Sequence, residues 1–152
     1  MSETRPILIH VSVVVLHGEH VLLVQEAKEV NYGKWNLPGG HLEVGESILS
    51  GARRELEEET CIKAELTGCV GIYTGIGTTG YHAIRFVLAG KTDTPTEARA
   101  GDQILMARWF EVGEAKLLHD KDLVSPAVFR QILDNATQQP LFSLDLLKEA
   151  LP

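Results

Sequence analysis

The segment Gly40–Ile62, GHLEVGESILSGARRELEEETCI, constrains this chain more than any other stretch. It feeds a glycine-bearing loop into a run with helical periodicity, and the acidic residues gather at the far end of that run. With about 3.6 residues per turn, Glu55, Glu58 and Glu59 stand at i, i+3 and i+4 and converge on one helix face. Leu49, Ala52 and Leu56 fall on a different stripe. Such a helix can dock its apolar stripe on a core and hold three carboxylates at its edge, where like charges repel unless a cation neutralises them. Hard oxygen ligands suit Mg²⁺ or Mn²⁺, and Mg²⁺ is usually shared between a few carboxylates and substrate phosphates. For a bare LEEE run the plainer reading is a solvated acidic face. The fixed spacing of Gly40, Glu46, Arg54, Glu55, Glu58 and Glu59, with the lead-in WNLPGG, favours the metal-dependent reading.

Length and charge agree with an enzyme domain that binds a small molecule. At 152 residues and 44% hydrophobic content the chain can bury a real core, and the expectation is one domain over residues 1–152. Fourteen basic residues against twenty-one acidic ones give a net charge of −7, which argues against a nucleic-acid or membrane surface as partner. A small anionic substrate can still be met through a bound cation. Cys61 and Cys69 form no CxxC pair, so a reduced setting is expected. The start, MSETRPILIH, lacks the pattern of a signal peptide, and no run approaches the roughly 18 apolar residues of a membrane span. The expected location is cytoplasmic.

Strand and helix signals alternate without repeats. Ile7–Leu16 and His20–Glu26 are apolar and β-branched, separated by the turn residues His17, Gly18 and Glu19, and read as an antiparallel hairpin. Ala27–Gly33 is polar and loop-like, Trp35–Leu37 is extended, and Pro38, Gly39 and Gly40 are expected to turn the chain. Ser47 is the expected N-cap of a helix running to about Thr60. Strands are expected at Ala64–Thr74, Tyr81–Ala89 and Ile104–Phe110, with Lys91–Gly101 as a mobile loop between the last two. Glu111–Leu118 and Ser125–Asn135 read as helices, the second with Ser125 as cap and Pro126 at its first position, and Ser143–Ala150 reads as a tail helix. The order fits an α/β/α sandwich around a mixed sheet.

Gly40–Ile62 resembles the box of the Nudix hydrolase family, Gly, five residues, Glu, seven residues, then Arg-Glu-apolar-x-Glu-Glu-x-Gly-apolar. The resemblance extends over Ile7 to about Asn135 and implies the Nudix fold, an α/β/α sandwich. One position departs: Cys61 stands where the family has its last Gly. Helices commonly end on a residue with positive φ, which a side chain disfavours. The departure touches the helix end and removes no ligand.

The chemistry that the resemblance implies is attack of water on a phosphorus of a nucleoside diphosphate linked to another group, assisted by Mg²⁺ or Mn²⁺. Carried over by position, the metal ligands are Glu55, Glu58, Glu59 and the backbone carbonyl of Gly39. Glu55 is the candidate general base, with Glu59 close behind. Arg54 is expected to pair with a box carboxylate and fix its rotamer, and Glu46 is either a supporting partner behind the metal ligands or a plain loop charge. Many family members carry a further acidic residue before a strand that ends in Trp. Here GDQILMARWF offers Asp102 as extra metal ligand or base, or else as a turn residue. Gly39 and Gly40, lacking Cβ, would let the main chain approach a metal–phosphate cluster. Tyr73, Tyr81, His82 and Phe86 are candidates for a base pocket; Tyr81 and His82, adjacent in a strand, point to opposite faces, so one at most lines it. Asn31 and Lys34 are candidates for ribose or phosphate. Trp35 and Trp109 are expected in the core.

No Pro lies between Pro38 and Pro95, where ADP-ribose hydrolases of the family show one. The compact chain and YHAIRFVLAG look similar to small, MutT-like members, which points to nucleoside di- or triphosphates. The Ser-Pro start at Ser125 is similar to small phosphatases that act on nucleotides and on thiamine-pathway pyrophosphates, and such non-nucleotide pyrophosphates are the alternative substrates. A non-catalytic nucleotide-binding Nudix domain is a further alternative, although that class usually loses box carboxylates. A homodimer is also left open, with the apolar N-terminal strands as the edges that would pair.

Overall fold

The computed structural model describes residues 6–77, 80–93 and 97–149. Its scaffold is a mixed sheet built around β1 (Leu8–His17), whose run of valines fills a strand buried on both faces. β1 turns into β2 (His20–Glu26) with Leu16 opposite Val21 and His17 opposite His20, the expected hairpin. Strands β3 (Trp35–Asn36) and β4 (Gly39–His41) follow, then helix α1 (Ile48–Thr60). After α1 come β5 (Glu65–Ile76), β6 (His82–Lys91) and β7 (Ile104–Glu111), helix α2 (Val112–Lys116) and helix α3 (Pro126–Gln138). β6 runs parallel to β1, pairing from Leu8–Ala83 to Leu16–Lys91. The order across the sheet is β3-β2-β1-β6-β5, with β4 antiparallel to β1 and β7 antiparallel to β2.

Strand alternation divides the core into two layers. Val11, Val13 and Val15 of β1, with Leu22 and Leu88, pack beneath Ala52 and Leu56 of α1. On the other face Val14, Val21, Leu23 and Val87 pack against Phe129, Ile132 and Leu133 of α3. The sheet therefore lies between two helices. Trp35 meets Phe110 edge-on at 4.8 Å beside the α3 layer, and Trp109 packs against the α1 layer, so both tryptophans lie partly buried at the margin of the core.

Several expectations are corrected. Pro38–Gly40 does not simply turn: Gly39–His41 forms a short strand against β1, with Ser12 opposite Gly39 and His10 opposite His41. Glu111–Leu118 shortens to the five residues of α2, and Ser143–Ala150 reduces to a 3-10 turn at Leu144–Leu146, with Ala150 outside the described residues. Ser125 does precede α3, but with φ 50° and no side-chain cap bond. β1 and β2 are interior strands, so they offer no free edge through which two copies could pair. Of the expected mobile loop, Lys91 belongs to β6, residues 94–96 lie outside the described residues, and Arg99 and Gly101 are tied to α1 as set out below.

Candidate active site

α1 starts where the sequence places it. The Ser47 hydroxyl oxygen accepts from the Ser50 N–H at 3.1 Å, meeting one of the helix's free donors. At the other end Cys61 takes the left-handed conformation, φ 58°, and its N–H donates to the Glu57 carbonyl at 2.9 Å. The next three carbonyls are met by the segment leading into β7. Asp102 N–H donates to Glu58 O at 3.1 Å, Gly101 N–H to Glu59 O at 2.9 Å and Arg99 N–H to Thr60 O at 3.0 Å. A strap thus fixes the turn that carries two of the box carboxylates.

Gly39 and Gly40 bring β4 up to those carboxylates. The Gly39 N–H donates to Glu59 Oε1 at 2.7 Å. A Cβ on Gly39 would run into the Val11 carbonyl and Ser12 of β1, so this glycine is required by strand packing. A Cβ on Gly40 would lie 2.6 Å from the Glu55 carboxylate carbon, so the second glycine makes room for Glu55. The expected reason, close approach of main chain to a bound cluster, is thus joined by a constraint from the protein itself.

Arg54 gathers the acidic groups. Its Nε and Nη2 donate to the two Glu46 oxygens at 2.6 and 2.8 Å, Nη1 donates to Glu55 at 3.0 Å and Glu58 at 3.1 Å, and Nη2 also reaches the His41 carbonyl at 3.1 Å. Fork geometry of this kind needs arginine. The hydrogen bond from Arg54 holds the Glu46 carboxyl below its usual range, and that from Glu46 raises the guanidinium above its own. Glu46 is therefore the partner of Arg54.

Glu59 is 7% exposed, and burial pushes its carboxyl up to about 8; the Gly39 N–H opposes the rise and the charges of Glu26 and Glu55 add to it. Burial also raises Glu55, against the Arg54 hydrogen bond, and Glu26, against a hydrogen bond from Asn36 Nδ2 at 3.4 Å. The exposed Lys28 lowers all three through space. Glu26 is a member of this cluster that the sequence did not single out. Among the described residues no three acidic, imidazole or thiol side chains are already gathered as a finished metal cage. The donor set nevertheless fits a hard divalent cation, since it consists of oxygens and holds buried carboxylates whose charges raise one another.

The other expected residues are dispersed. Asp102 is exposed at the strap, engaged through its backbone. Asn31 lies in a 3-10 turn at Glu29–Asn31, half-buried. Tyr73 and Phe86 sit on opposite faces of the sheet, Tyr73 against the α3 layer and Phe86 against the α1 layer, so they cannot line one pocket together. Tyr81 and His82 are exposed at the start of β6. The sheet also carries a polar row that the sequence did not single out: His10 opposite Arg85, with Arg85 bonded to the buried Asn36. An arginine inside the apolar run AIRFVLAG was the available signal.

Fold and box together define a Nudix pyrophosphohydrolase. The chain belongs to that family: the NUDIX domain model matches residues 6–132. It is 34% identical over 126 residues to Phosphatase NudJ of Escherichia coli (strain K12), a match covering 81% of this chain and 80% of that protein. It is 36% identical over 110 residues to the 8-oxo-dGDP phosphatase NUDT18 of Danio rerio, covering 70% of this chain and 33% of that protein, so it spans about a third of that relative's length. Among solved structures, a NUDIX hydrolase from Nitrosomonas europaea superposes with a TM-score of 0.81 at 27% identity, covering 94% of this chain and 97% of that one.

Proposed function

We propose that residues 1–152 act as one catalytic unit that hydrolyses a pyrophosphate bond in nucleoside di- or triphosphates with the help of Mg²⁺ or Mn²⁺. The observation that carries this reading is the juxtaposition of Glu55, Glu58 and Glu59 with Gly39 and Gly40, held by Arg54 and by the Gly39–Glu59 hydrogen bond. Glu55, Glu58, Glu59 and the Gly39 carbonyl would hold the cation, with Asp102 as a further oxygen donor at the strap. When bound, the cation neutralises phosphate oxygens and makes water a better nucleophile. Glu55 takes the proton of the attacking water; its burial beside Gly40 raises its basicity, the property a general base requires. Glu59, buried and bonded to Gly39, supplies fixed negative charge once a cation offsets its burial. Arg54 holds the rotamers of Glu55 and Glu58. Asn31, half-buried in the turn before β3, would meet a ribose or phosphate oxygen of the substrate.

Nucleotides are favoured over other pyrophosphates because one relative is named for a nucleoside diphosphate, 8-oxo-dGDP. The test is release of phosphate and pyrophosphate from a panel of nucleoside di- and triphosphates, ADP-ribose, dinucleoside polyphosphates and thiamine-pathway pyrophosphates, with Mg²⁺ or Mn²⁺. Metal-dependent turnover on the nucleotides that collapses in Glu58→Gln is the expected result. Turnover confined to thiamine-pathway compounds would replace the substrate class, and none at all would leave a binding domain.

A further inference from the structure

β5 is the last strand of the sheet, and its outer margin is only partly covered. The tail covers one end, where Phe142 and Cys69 exchange backbone hydrogen bonds at 2.8 and 2.9 Å. Beyond that point the hairpin to β6 fixes which groups face outward. The Gly77 N–H donates to the Tyr81 carbonyl at 2.9 Å and the Gly80 N–H to the Gly77 carbonyl at 2.9 Å, so Gly77 and Tyr81 form a bonded pair. Bonded and non-bonded pairs alternate along an antiparallel ladder. Gly75–Ala83, Tyr73–Arg85 and Gly71–Val87 are therefore bonded, and Ile76–His82, Thr74–Ile84 and Ile72–Phe86 are not. Ile72, Thr74 and Ile76 aim their N–H and C=O groups away from β6, as Cys69 does, and those groups meet no partner among the described residues.

This stretch of edge lacks the usual protection. Charge, proline and bulges keep natural edge strands from pairing. The sequence places no Asp, Glu, Lys, Arg or Pro between Glu65 and Arg85, and the register shifts of β5 end at Gly71. β7, whose pairing is with β2 at the opposite margin, does carry charge, Arg108 and Glu111. Residues paired across strands share a face, so Ile72, Thr74 and Ile76 lie on one face with the half-buried Ile84 and Phe86 of β6. Ile72 and Ile76 are 50% and 71% exposed on that face. The edge is thus uncharged, free in its hydrogen-bonding groups and apolar on one side.

We propose that β5 of a second copy fills this edge, running antiparallel about a two-fold axis at Thr74, so that two sheets join into one. In that register Ile72 faces Ile76 of the partner subunit, Thr74 faces Thr74 of the partner subunit, and each such pair exchanges two hydrogen bonds. Every free group on both strands is then used. The same segment is its own complement: cross-strand β-branched pairs and Thr–Thr pairs are favourable, and no like charges face each other. On the other face Tyr73 stands opposite Gly75 of the partner subunit, and a Cβ at Gly75 would meet nothing within 4 Å, so the ring has room. Two chains of net charge −7 repel through most of their surface, which leaves the neutral stretch as the place where they can touch. The tail limits the register, because Phe142 already occupies the edge at Cys69. The contact is isologous and closes at two copies. It does not depend on the hydrolase reading.

The test is the mass of the full chain in solution, read by sedimentation velocity across micromolar concentrations. Wild type is expected to run at twice the chain mass. Thr74→Lys sets two like charges opposite each other at the axis and should weaken the dimer at least about 10-fold, while Met106→Lys on β7 should leave it intact. Thr74→Cys in a Cys61→Ser chain reads the register: Cα atoms of a bonded pair lie about 5.5 Å apart, within the span of a disulfide, so oxidised glutathione should link two copies through residue 74. A monomeric wild type, a dimer that Thr74→Lys leaves intact, or a dimer that the Thr74→Cys chain fails to cross-link would overturn the proposal. If Thr74→Lys does not fold, the wild-type mass and the Thr74→Cys cross-link still decide it.

Discussion

Gly101→Ala tests how the strap positions the box carboxylates. A Cβ at residue 101 would overlap the Glu58 carbonyl oxygen and lie 2.8 Å from its carbon and 3.1 Å from the Glu59 carbonyl carbon. Carbon pairs rest at about 3.5 Å, so the Glu58 peptide or the strap must retreat by at least about 0.7 Å. Both neighbours are backbone and cannot swing aside. The hydrogen bonds from Asp102 to Glu58 and from Gly101 to Glu59 are the first to lengthen, and at about 0.5–1.5 kcal/mol each their loss amounts to about 1–3 kcal/mol. Overpacking of a tight site costs a similar amount. For a chain of this size that is a fall in Tm of roughly 3–10 °C. Glu58 and Glu59 move with their peptides, and since about 1 Å of misplacement can cost about 100-fold, the rate should fall at least about 10-fold. Thermal melts and initial rates against Mg²⁺ concentration would be measured beside Gly113→Ala, where a Cβ meets nothing within 4 Å. A Gly101→Ala protein with wild-type melt and rate would refute the positioning role of the strap.

Three further changes probe the same site. Cys61→Gly removes a side chain from a position with φ 58° and should raise stability by about 1 kcal/mol with activity kept; a lower Tm would show that the thiol packs usefully. Arg54→Lys loses the fork to Glu46 and the bonds to Glu55 and Glu58, so the rate should drop about 10-fold or more, and unchanged initial rates would count against a positioning role. Glu59, with a folded value of about 8 against 4.5, is protonated more readily in the native state than in the unfolded chain. Its contribution is complete below pH 4.5 and is lost as pH rises through about 8. With metal chelated, Tm should decline between these limits, by up to about 1.4 kcal/mol of stability per pH unit, and Glu59→Gln should flatten the decline; a parallel decline in the variant would assign it to other groups.

What could be read in advance was local. Ser47, the apolar stripe of α1 and the pairing of Arg54 with a box carboxylate are fixed by spacings of a few residues, and the helix follows the sequence from cap to terminus; which of its two readings Glu46 takes was settled only by the structure. Even Cys61, out of place by composition, takes the conformation that the helix end demands. Gly39–His41 escaped as a strand because its extended state depends on register with β1 about 30 residues away, whereas Pro-Gly-Gly alone signals a turn. The same holds for the polar row: no local pattern joins His10, Asn36 and Arg85, which meet only through sheet pairing and one side-chain bond. That Phe86 packs partly buried beneath α1, on the face opposite Tyr73, follows from strand alternation and pairing rather than from its aromatic ring. The tail lacked an apolar face long enough to sustain a helix against the sheet and keeps a single 3-10 turn.

The parallel pairing of β1 with β6 sets the order in which this molecule can assemble. Residues 8–16 lie in the middle of the sheet, yet their longest partner is residues 83–91. Local pieces form first by closing short loops, but the centre of the sheet waits for one of about 70 residues, the kind of closure that slows folding. On a ribosome the helix bearing the carboxylates is therefore synthesised before the strand that completes the floor beneath it. Until β6 arrives, the valines of β1 lack a neighbour along one whole edge, and this nascent interval is when the chain is most exposed to aggregation and most in need of a chaperone.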